Sequence, residues 1–281
     1  MQNGGEVKNK FIPELIIDHL NENGVEFISC LPKEQGVTIN DIISYCENEA
    51  VNHGVLNVNF KKIINEAISL GYDKRYLNTT KLADERAISY DCFVTSFKDI
   101  LSQLNISLFS NDTSIIVVGV GNGIEGQMLY SDIKNLTIVD IAPNSLKQAK
   151  IQLPNAQALQ VSADNLISLA DSSFDLYVSL RTFQSTYFDI FTSLQEAKRI
   201  LKNKGSIIIS IACGYLDDNY EFIYGLYNPH NGILEQDRPG LFVTVIENIL
   251  KELSFSRIRI KKIPTEIFIF ATKGTIVSNN D

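Results

Sequence analysis

The chain has 281 residues and is 44% hydrophobic, so it can bury the core of one large domain or of a domain with an accessory part. Its 33 acidic and 25 basic residues give a net charge of −8 without a dense basic cluster, which argues against a nucleic-acid partner. No apolar run reaches the roughly 20 residues of a membrane-spanning helix, and the first residues show no signal-peptide pattern. We therefore expect a cytoplasmic protein with neither nucleic acid nor membrane as a partner.

The cysteines and histidines give no sign of a metal site or of disulfides. The four cysteines are widely spaced without a Cys-x-x-Cys pair, and the three histidines form no cluster. This usage is typical of free thiols in a reducing compartment, and it predicts that the protein has no zinc site.

Residues 1–105 are predicted to form a helical N-terminal region. Apolar residues recur there at spacings of three and four, the period of a helix face. The predicted helices cover about 11–20, a segment capped by Asn40, a segment from the cap Asn59 to Gly71, and about 84–104. We expect this region to cap a site, to form a homodimer, or to do both.

From residue 114 strands and helices alternate, so residues 106–281 are predicted to form an α/β domain. Apolar, β-branched runs predict strands over about 114–118, 136–140, 157–162, 174–180 and 206–212, with helices between them. The last two runs, 255–263 and 266–272, are separated by two residues and are predicted to pair as antiparallel strands. Before them lies an insert, 214–239, that is rich in aromatic and turn-forming residues.

The glycine loop after the first strand is the most informative motif. Gly119, Gly121 and Gly123 let the backbone turn sharply and approach a ligand, and a helix is predicted to follow over 124–130. Asp140 ends the second strand roughly 20 residues further on, where a nucleotide-binding fold places the carboxylate that binds ribose. Because the loop has no glycine at 124, it fits the dinucleotide fingerprint poorly. The motif predicts a nucleoside-containing cofactor at the carboxyl ends of two adjacent strands.

Over about residues 86–274 the chain resembles the class I S-adenosylmethionine-dependent methyltransferases. The matching segments occur in the family's order and end in an antiparallel strand pair. They are the glycine loop 117–123, the second-strand acid Asp140, the acidic turn 162–166, the fourth-strand segment 172–180 and the segment 199–205 before the fifth strand. The resemblance implies a Rossmann-like methyltransferase fold with a mostly parallel seven-stranded sheet, and S-adenosylmethionine as the cofactor.

The resemblance also implies roles for individual residues of the cofactor site. Asp140 would bind both ribose hydroxyls, and Asp164 would bind the adenine amino group unless it only forms a turn. Val117 replaces an acid that usually helps to hold the methionine ammonium, and the backbone carbonyls of Gly119 and Ser179 are the proposed substitutes. The implied cofactor residues are Gly119, Gly121, Gly123, Asp140, Ile141, Asp164, Asn165, Ser179, Tyr90 and Arg86. The last two, on the helix before the first strand, would bind the methionine carboxylate or only pack on the sheet.

Candidate catalytic residues follow the fourth and fifth strands. Methyl transfer mainly requires alignment of acceptor, methyl carbon and sulfur, and it needs a base only when the acceptor must lose a proton. His230 in the insert is the candidate base, because imidazole titrates near neutral pH. Arg181 faces an anionic group of the substrate or pairs with a nearby acid, and Tyr187 lies in the same segment. That segment does not contain the Asn-Pro-Pro-aromatic motif of DNA and glutamine amino-methyltransferases.

The leading hypothesis is a cytoplasmic enzyme that transfers a methyl group from S-adenosylmethionine to an oxygen or nitrogen of a small molecule. The acidic charge, the aromatic insert and the helical N-terminal region favour such an acceptor over RNA or DNA. The alternatives are a peptide or protein methyltransferase, a nicotinamide-dependent oxidoreductase, and a protein that binds S-adenosylmethionine without catalysis. The altered position at Val117 leaves room for the last of these.

Overall fold

The computed structural model describes residues 12–32, 37–78, 90–106, 112–123, 129–130, 132–185, 187–216, 221–228 and 232–274, without the side chains of 74–78 and 90–91. Within these ranges no helix is both long and apolar enough to cross a membrane. All four cysteines are free; Cys46 and Cys213 are buried, whereas Cys30 and Cys92 are exposed.

A seven-stranded, mostly parallel sheet forms the centre of the fold. The strands in the described ranges are β1 (Ser114–Val118), β2 (Asn135–Asp140), β3 (Gln157–Gln160), β4 (Phe174–Leu180), β5 (Leu201–Ala212), β6 (Gly214–Leu216), β7 (Phe222–Tyr224), β8 (Leu226–Tyr227), β9 (Leu234–Glu235), β10 (Phe255–Lys262) and β11 (Glu266–Lys273). The sheet order is β10-β11-β5-β4-β1-β2-β3. Strands β1 to β5 run parallel, and β11 is antiparallel to both of its neighbours. The predicted α/β fold with its antiparallel pair is confirmed.

The strand order reverses beside β1, which lies between β2 and β4. The chain leaves β1 towards β2 and β3, and then returns across the sheet to β4 and β5. In open α/β sheets, ligands bind outside the carboxyl ends of the strands at such a reversal. The glycine loop and Asp140 follow β1 and end β2, so the fold brings them to this place.

Helices cover both faces of the sheet, and three more helices precede it in the sequence. The helices in the described ranges are α1 (Ile12–Glu22), α2 (Ile39–Asn52), α3 (Phe60–Asn78), α4 (Tyr90–Gln103), α5 (Pro143–Gln152), α6 (Ile190–Ile200) and α7 (Arg238–Glu252). One face of the sheet packs against α4 and α5, through side chains such as Phe97 and Ala149. The other face packs against α6 and α7, through Leu194 and Ile246.

The helices α1 to α3 have an apolar core of their own, which includes Ile16, Ile42 and Ile64. We call these three helices the cap. Helix α4 packs with the sheet instead, because Phe93 and Phe97 belong to the same buried cluster as the β1 residue Ile115. In packing terms α4 therefore goes with the α/β domain, although the predicted division at 105/106 places it with the helical region. A separate function for the two regions stays a prediction.

Two local predictions within the cap were wrong. Thr38, and not Asn40, caps α2: its hydroxyl accepts from the Asp41 N–H at 3.3 Å, and its own N–H donates to Asp41 Oδ2 at 2.8 Å. Helix α3 does not end at Gly71. A Cβ on Gly71 would lie 3.1 Å from the side chains of Ile12 and Leu15, so this glycine lets α1 pack closely against α3. The predicted cap Asn59 is confirmed, since its side chain accepts from the Lys62 N–H at 3.0 Å.

The insert after β5 contains two small hairpins, β6–β7 and β8–β9. The hydroxyls of Tyr215 and Tyr227 lie 2.7 Å apart, and Lys262 Nζ lies 5.0 Å from the ring centre of Tyr224. Strand β5 itself begins at Leu201 rather than at 206. The aromatic residues of the insert that the structure describes are Tyr215, Phe222, Tyr224 and Tyr227. They belong to these hairpins, at the edge of the sheet's carboxyl end.

Candidate cofactor and active site

The glycine loop places the backbone in conformations that only glycine adopts easily. Gly119 has φ +71° and Gly123 has φ +79°, both in the left-handed region. A Cβ on Gly119 would lie 2.0 Å from Thr182 Oγ1, and one on Gly123 would lie 2.6 Å from Ala149 Cα. The N–H groups of Gly119 and Val120 donate to the Val139 carbonyl at 2.8 and 3.1 Å. The loop is thus packed between the segment after β4 and helix α5, while its backbone is tied to β2.

Asp140 is buried and is bound to this loop. Its Oδ2 accepts from the Gly121 N–H at 2.9 Å, and its Oδ1 accepts from the Ala142 N–H at 2.9 Å. Ser145 Oγ donates to the Gly121 carbonyl at 2.5 Å. Burial raises the pKa of the Asp140 carboxyl above its ordinary value, and the hydrogen bonds from Ala142 and Gly121 oppose that rise. The loop and the acid form a single hydrogen-bonded unit, although Gly121 and Asp140 are 19 residues apart in sequence.

Asp164 and Asn165 lie in a turn after β3. Asp164 is half-buried, and its Oδ2 accepts from the Asp189 N–H at 3.0 Å. The Asn165 N–H donates to the Ser162 carbonyl at 3.0 Å. Asp189 in turn caps α6 by accepting from the Thr192 N–H at 2.5 Å. The turn alternative is therefore what the geometry shows, and an adenine contact by these residues stays a prediction.

Ser179 joins β4 to β1 at the carboxyl end of the sheet. It is fully buried, and its hydroxyl donates to the Val118 carbonyl at 2.8 Å. Val117 is buried in the apolar cluster that α4 and α5 share with the sheet. The side chain at this position thus belongs to the core, and it offers no group to a methionine ammonium.

Arg181 forms an ion pair with Glu266, which is the alternative that the sequence left open. Arg181 Nε lies 2.7 Å from Glu266 Oε1, and the two side chains are 12% and 0% exposed. Ser210 Oγ donates to the same carboxylate oxygen at 3.1 Å, and the Arg181 N–H donates to the Ser210 carbonyl at 2.9 Å. Arg181 has φ +59°, which is uncommon for a side-chain-bearing residue. These contacts fix the first residue after β4 to β5 and β11.

The comparisons with known proteins agree with this fold and with the predicted cofactor. A family model described as a methyltransferase domain matches residues 116–209, the segment that contains the glycine loop, Asp140 and β1 to β5. This segment has the features of a methyltransferase domain, whose cofactor is S-adenosylmethionine.

Individual known proteins match parts of the chain. A malonyl-[acyl-carrier protein] O-methyltransferase of Anoxybacillus flavithermus is 31% identical over 106 residues, which span 37% of this chain and 41% of that protein. A methyltransferase structure from Aquifex aeolicus covers 63% of this chain and 88% of its own, at 18% identity and a TM-score of 0.44. A Haemonchus contortus phosphoethanolamine N-methyltransferase covers 64% of this chain and 53% of its own, at 15% identity and a TM-score of 0.47.

Some predicted site residues lie outside the described part of the structure. These are Arg86 and His230, together with most of the predicted helix 124–130, of which Leu129 and Tyr130 are described as helical. Tyr90 begins α4, but its side chain is not described. Their predicted roles stay predictions. Among the described residues, no three metal-ligating side chains come together.

Tyr187 is packed against the cap. It is 4% exposed and belongs to the apolar cluster of α1 to α3. Burial raises the pKa of its hydroxyl well above the usual range, and the neighbouring Tyr72 adds to that rise. A hydroxyl that keeps its proton so firmly is a poor general base, and the catalytic role of Tyr187 stays a prediction.

Sequence reasoning did not predict the polar contacts that hold the cap on the carboxyl end of the sheet. Ser69 Oγ donates to the Ile141 carbonyl at 2.8 Å, and the hydroxyls of Tyr72 and Ser185 lie 3.0 Å apart. Asp73 accepts two hydrogen bonds from Asn144, each of 2.6 Å. On the α2 side, the Asn40 amide donates to the Asp189 carboxylate. The only sequence signal is polar residues at 69, 72 and 73 on one helix face, and this pattern is also typical of a solvated surface.

Gly123→Ala tests the close packing of the glycine loop on α5. The left-handed conformation costs an alanine about 1–2 kcal/mol, and the contact with Ala149 adds an overpacking cost of about 1–3 kcal/mol. The control is Gly54→Ala, because Gly54 has φ +68° but no atom within 4 Å of its Cβ position. Urea unfolding should show a clearly larger loss for Gly123→Ala. Equal losses in the two variants would contradict the packing argument.

Glu266→Leu tests the buried ion pair. It leaves the Arg181 cation without its carboxylate, so the free energy of unfolding should fall by about 3–5 kcal/mol. The double variant Arg181→Leu/Glu266→Leu removes both charges, and it should recover much of that loss. Denaturant titrations of the wild type, Glu266→Leu, Arg181→Leu and the double variant measure the coupling. If the double variant is as unstable as the sum of the two single variants, the pair is not coupled in the way described.

Proposed function

We propose that this protein transfers a methyl group from S-adenosylmethionine to an oxygen or nitrogen atom of a small molecule. The observation that carries the proposal is the Asp140 carboxylate, held against the Gly121 N–H where the strand order reverses. The family model matches residues 116–209 and the curated relative matches 37% of the chain, so the methyl acceptor is inferred from what surrounds the matched segment.

The residues present fit the nucleoside part of such a cofactor. An ionised carboxylate offers about four acceptor sites on its two oxygens. Gly121 and Ala142 use two of these in Asp140, which leaves acceptor capacity for the two hydroxyls of a ribose. The left-handed glycines leave no side chain between this carboxylate and the loop backbone. When bound, S-adenosylmethionine supplies a methyl carbon that is activated by a positive sulfur.

The chain's own contribution to methyl transfer is alignment and exclusion of water. In-line displacement depends on how well the nucleophile is positioned, so rigid walls around the reacting atoms supply much of the rate. The segment after β4 forms one wall, because Thr182 packs against Gly119 and Arg181 is bound to Glu266. The cap forms another wall, since Tyr72 contacts Ser185 of the same segment. His230 remains the candidate base for acceptors that must lose a proton.

A small acceptor is favoured by how much of the chain lies around the carboxyl ends of the strands. The cap contacts the residues after β2 and β4, and the insert begins where β5 ends. The net charge of −8 is unfavourable for the phosphates of RNA or DNA. A peptide acceptor would need an open groove at this edge, and screens with peptides and with small amines, alcohols and acids separate the two.

Asp140→Ala tests the cofactor assignment. The wild-type protein should bind S-adenosylhomocysteine at micromolar concentration in a calorimetric titration, and the variant should lose this binding because no carboxylate is left for the ribose. The matched control is Asp175→Ala, which removes an acid from the opposite end of the sheet, where it binds the Ser114 N–H and Lys202. This control should bind as wild type does.

Three other outcomes of the same titration decide between functions. Preference for NAD over S-adenosylhomocysteine would support an oxidoreductase. Tight binding without turnover on any acceptor would support a regulator. Binding of neither ligand would overturn the proposal.

The pH dependence should run in opposite directions for binding and for stability. The raised pKa of Asp140 means that protonation begins at a higher pH than for an ordinary aspartate, so affinity for S-adenosylhomocysteine should fall as the pH is lowered through that pKa. In the ligand-free protein, the same group favours the folded state at low pH, and this contribution is lost as the pH rises through the folded-state pKa. Calorimetry and denaturant titrations from neutral pH down to the lowest pH at which the protein stays folded measure both. A pH-independent affinity would contradict the assignment.

A further inference from the structure

Helix α5 begins beside the cofactor acid without a capping side chain of its own. Its N-cap is Ala142, which has φ −90° and ψ 117° and makes no side-chain cap hydrogen bond, and Pro143 follows in the first turn. The first N–H groups of a helix have no partner within the helix, and a side-chain oxygen at the N-cap usually accepts from one of them. Alanine cannot do this, so the acceptor must come from elsewhere.

The acceptor comes from the cap. Asp73, on α3, accepts from the Asn144 backbone N–H at 2.6 Å through Oδ1 and from the Asn144 side-chain amide at 2.6 Å through Oδ2. Asn144 occupies the second position of α5, whose N–H is one that an N-cap side chain normally binds. A negative charge at this end of a helix is also favoured by the helix dipole. Asp73 therefore takes the place of an N-cap residue from a distant part of the chain.

Asp73 binds the same segment that positions Asp140, the acid predicted to bind the cofactor. Between β2 and the first turn of α5, Asp140 accepts from the Ala142 N–H, and Ser145 donates to the Gly121 carbonyl. One turn before Asp73 on the same helix, Ser69 donates to the Ile141 carbonyl at 2.8 Å. Helix α3 thus binds this turn at Ile141 and at Asn144, each of which directly precedes a residue that contacts Asp140 or Gly121.

We propose that Asp73 is a positioning residue for cofactor binding: by capping α5 from the cap, it holds Asp140 and Gly121 in the geometry that a ribose diol needs. The inference rests on the proposed function. It also couples cofactor binding to docking of the cap. A cofactor that binds only the ordered turn favours the docked cap, and the docked cap favours cofactor binding to the same degree.

The test compares Asp73→Ala with Glu66→Ala by calorimetric titration of S-adenosylhomocysteine. Glu66 is an acid on the same helix, but its contacts, His19 and Lys62, lie within the cap. Loss of an N-cap is worth about 1 kcal/mol, or about fivefold in an equilibrium constant, so the Kd of Asp73→Ala should rise by about fivefold or more. The Kd of Glu66→Ala should stay within about twofold of wild type.

Two further measurements distinguish positioning from a general loss of stability. Asp73→Ala/Ala142→Ser gives α5 an N-cap hydroxyl from its own segment, and it should recover most of the lost affinity. In wild type, S-adenosylhomocysteine should slow amide hydrogen exchange in residues 60–73 of α3, and this protection should shrink in Asp73→Ala. Asp73→Asn, which keeps an acceptor oxygen without the charge, covers the case in which the alanine variant does not fold; its Kd should lie between those of wild type and Asp73→Ala.

The inference is overturned if Asp73→Ala lowers the melting temperature but binds S-adenosylhomocysteine as wild type does, or if Ala142→Ser restores no affinity. In the first case the proposed function stands without it. If wild type itself fails to bind S-adenosylhomocysteine, the proposed function fails, and that result is seen before any variant is measured.

Discussion

The burial of one carboxylate organises this site. An ionised group taken out of water is strongly unfavourable unless it is hydrogen-bonded, and Asp140 meets this condition with N–H groups on either side of it in space. Gly121 belongs to the loop after β1, and Ala142 belongs to the turn after β2. The hydrogen bonds that the Asp140 carboxylate requires therefore hold two loops together. They also fix the direction of its other lone pairs, at the place where the strand order reverses.

Other buried polar contacts connect further elements of the fold to this site. Ser179 joins β4 to β1, and the Arg181–Glu266 pair joins the end of β4 to β11. On the opposite side, Ser69 and Asp73 bind the cap to the turn after β2. Each contact links two elements that are distant in sequence, so the carboxyl end of the sheet behaves as a connected framework and not as a set of independent loops.

The parts that sequence reasoning predicted are those in which local pattern decides the structure. β-branched runs, glycines and Asp140 follow one another within a short stretch, and each has a physical preference that needs no distant partner. The parts it missed depend on long-range contacts, since Asp73 binds a residue 71 positions away. For Arg181, pairing with an acid was an open alternative, but the partner Glu266 lies 85 positions away and could not be identified. Gly71 was misinterpreted for the same reason, because a glycine that admits a neighbouring helix has the same sequence signature as one that ends a helix.

The position of β11 has a consequence for how the chain is made. This strand is translated after all the others of the sheet, yet it lies between β10 and β5 and pairs along the whole carboxyl half of β5. On the ribosome, the parallel strands can assemble before it, but β5 then presents an open edge to other nascent chains. Completion of the sheet, and with it the burial of Glu266, must wait until β11 has emerged from the ribosome.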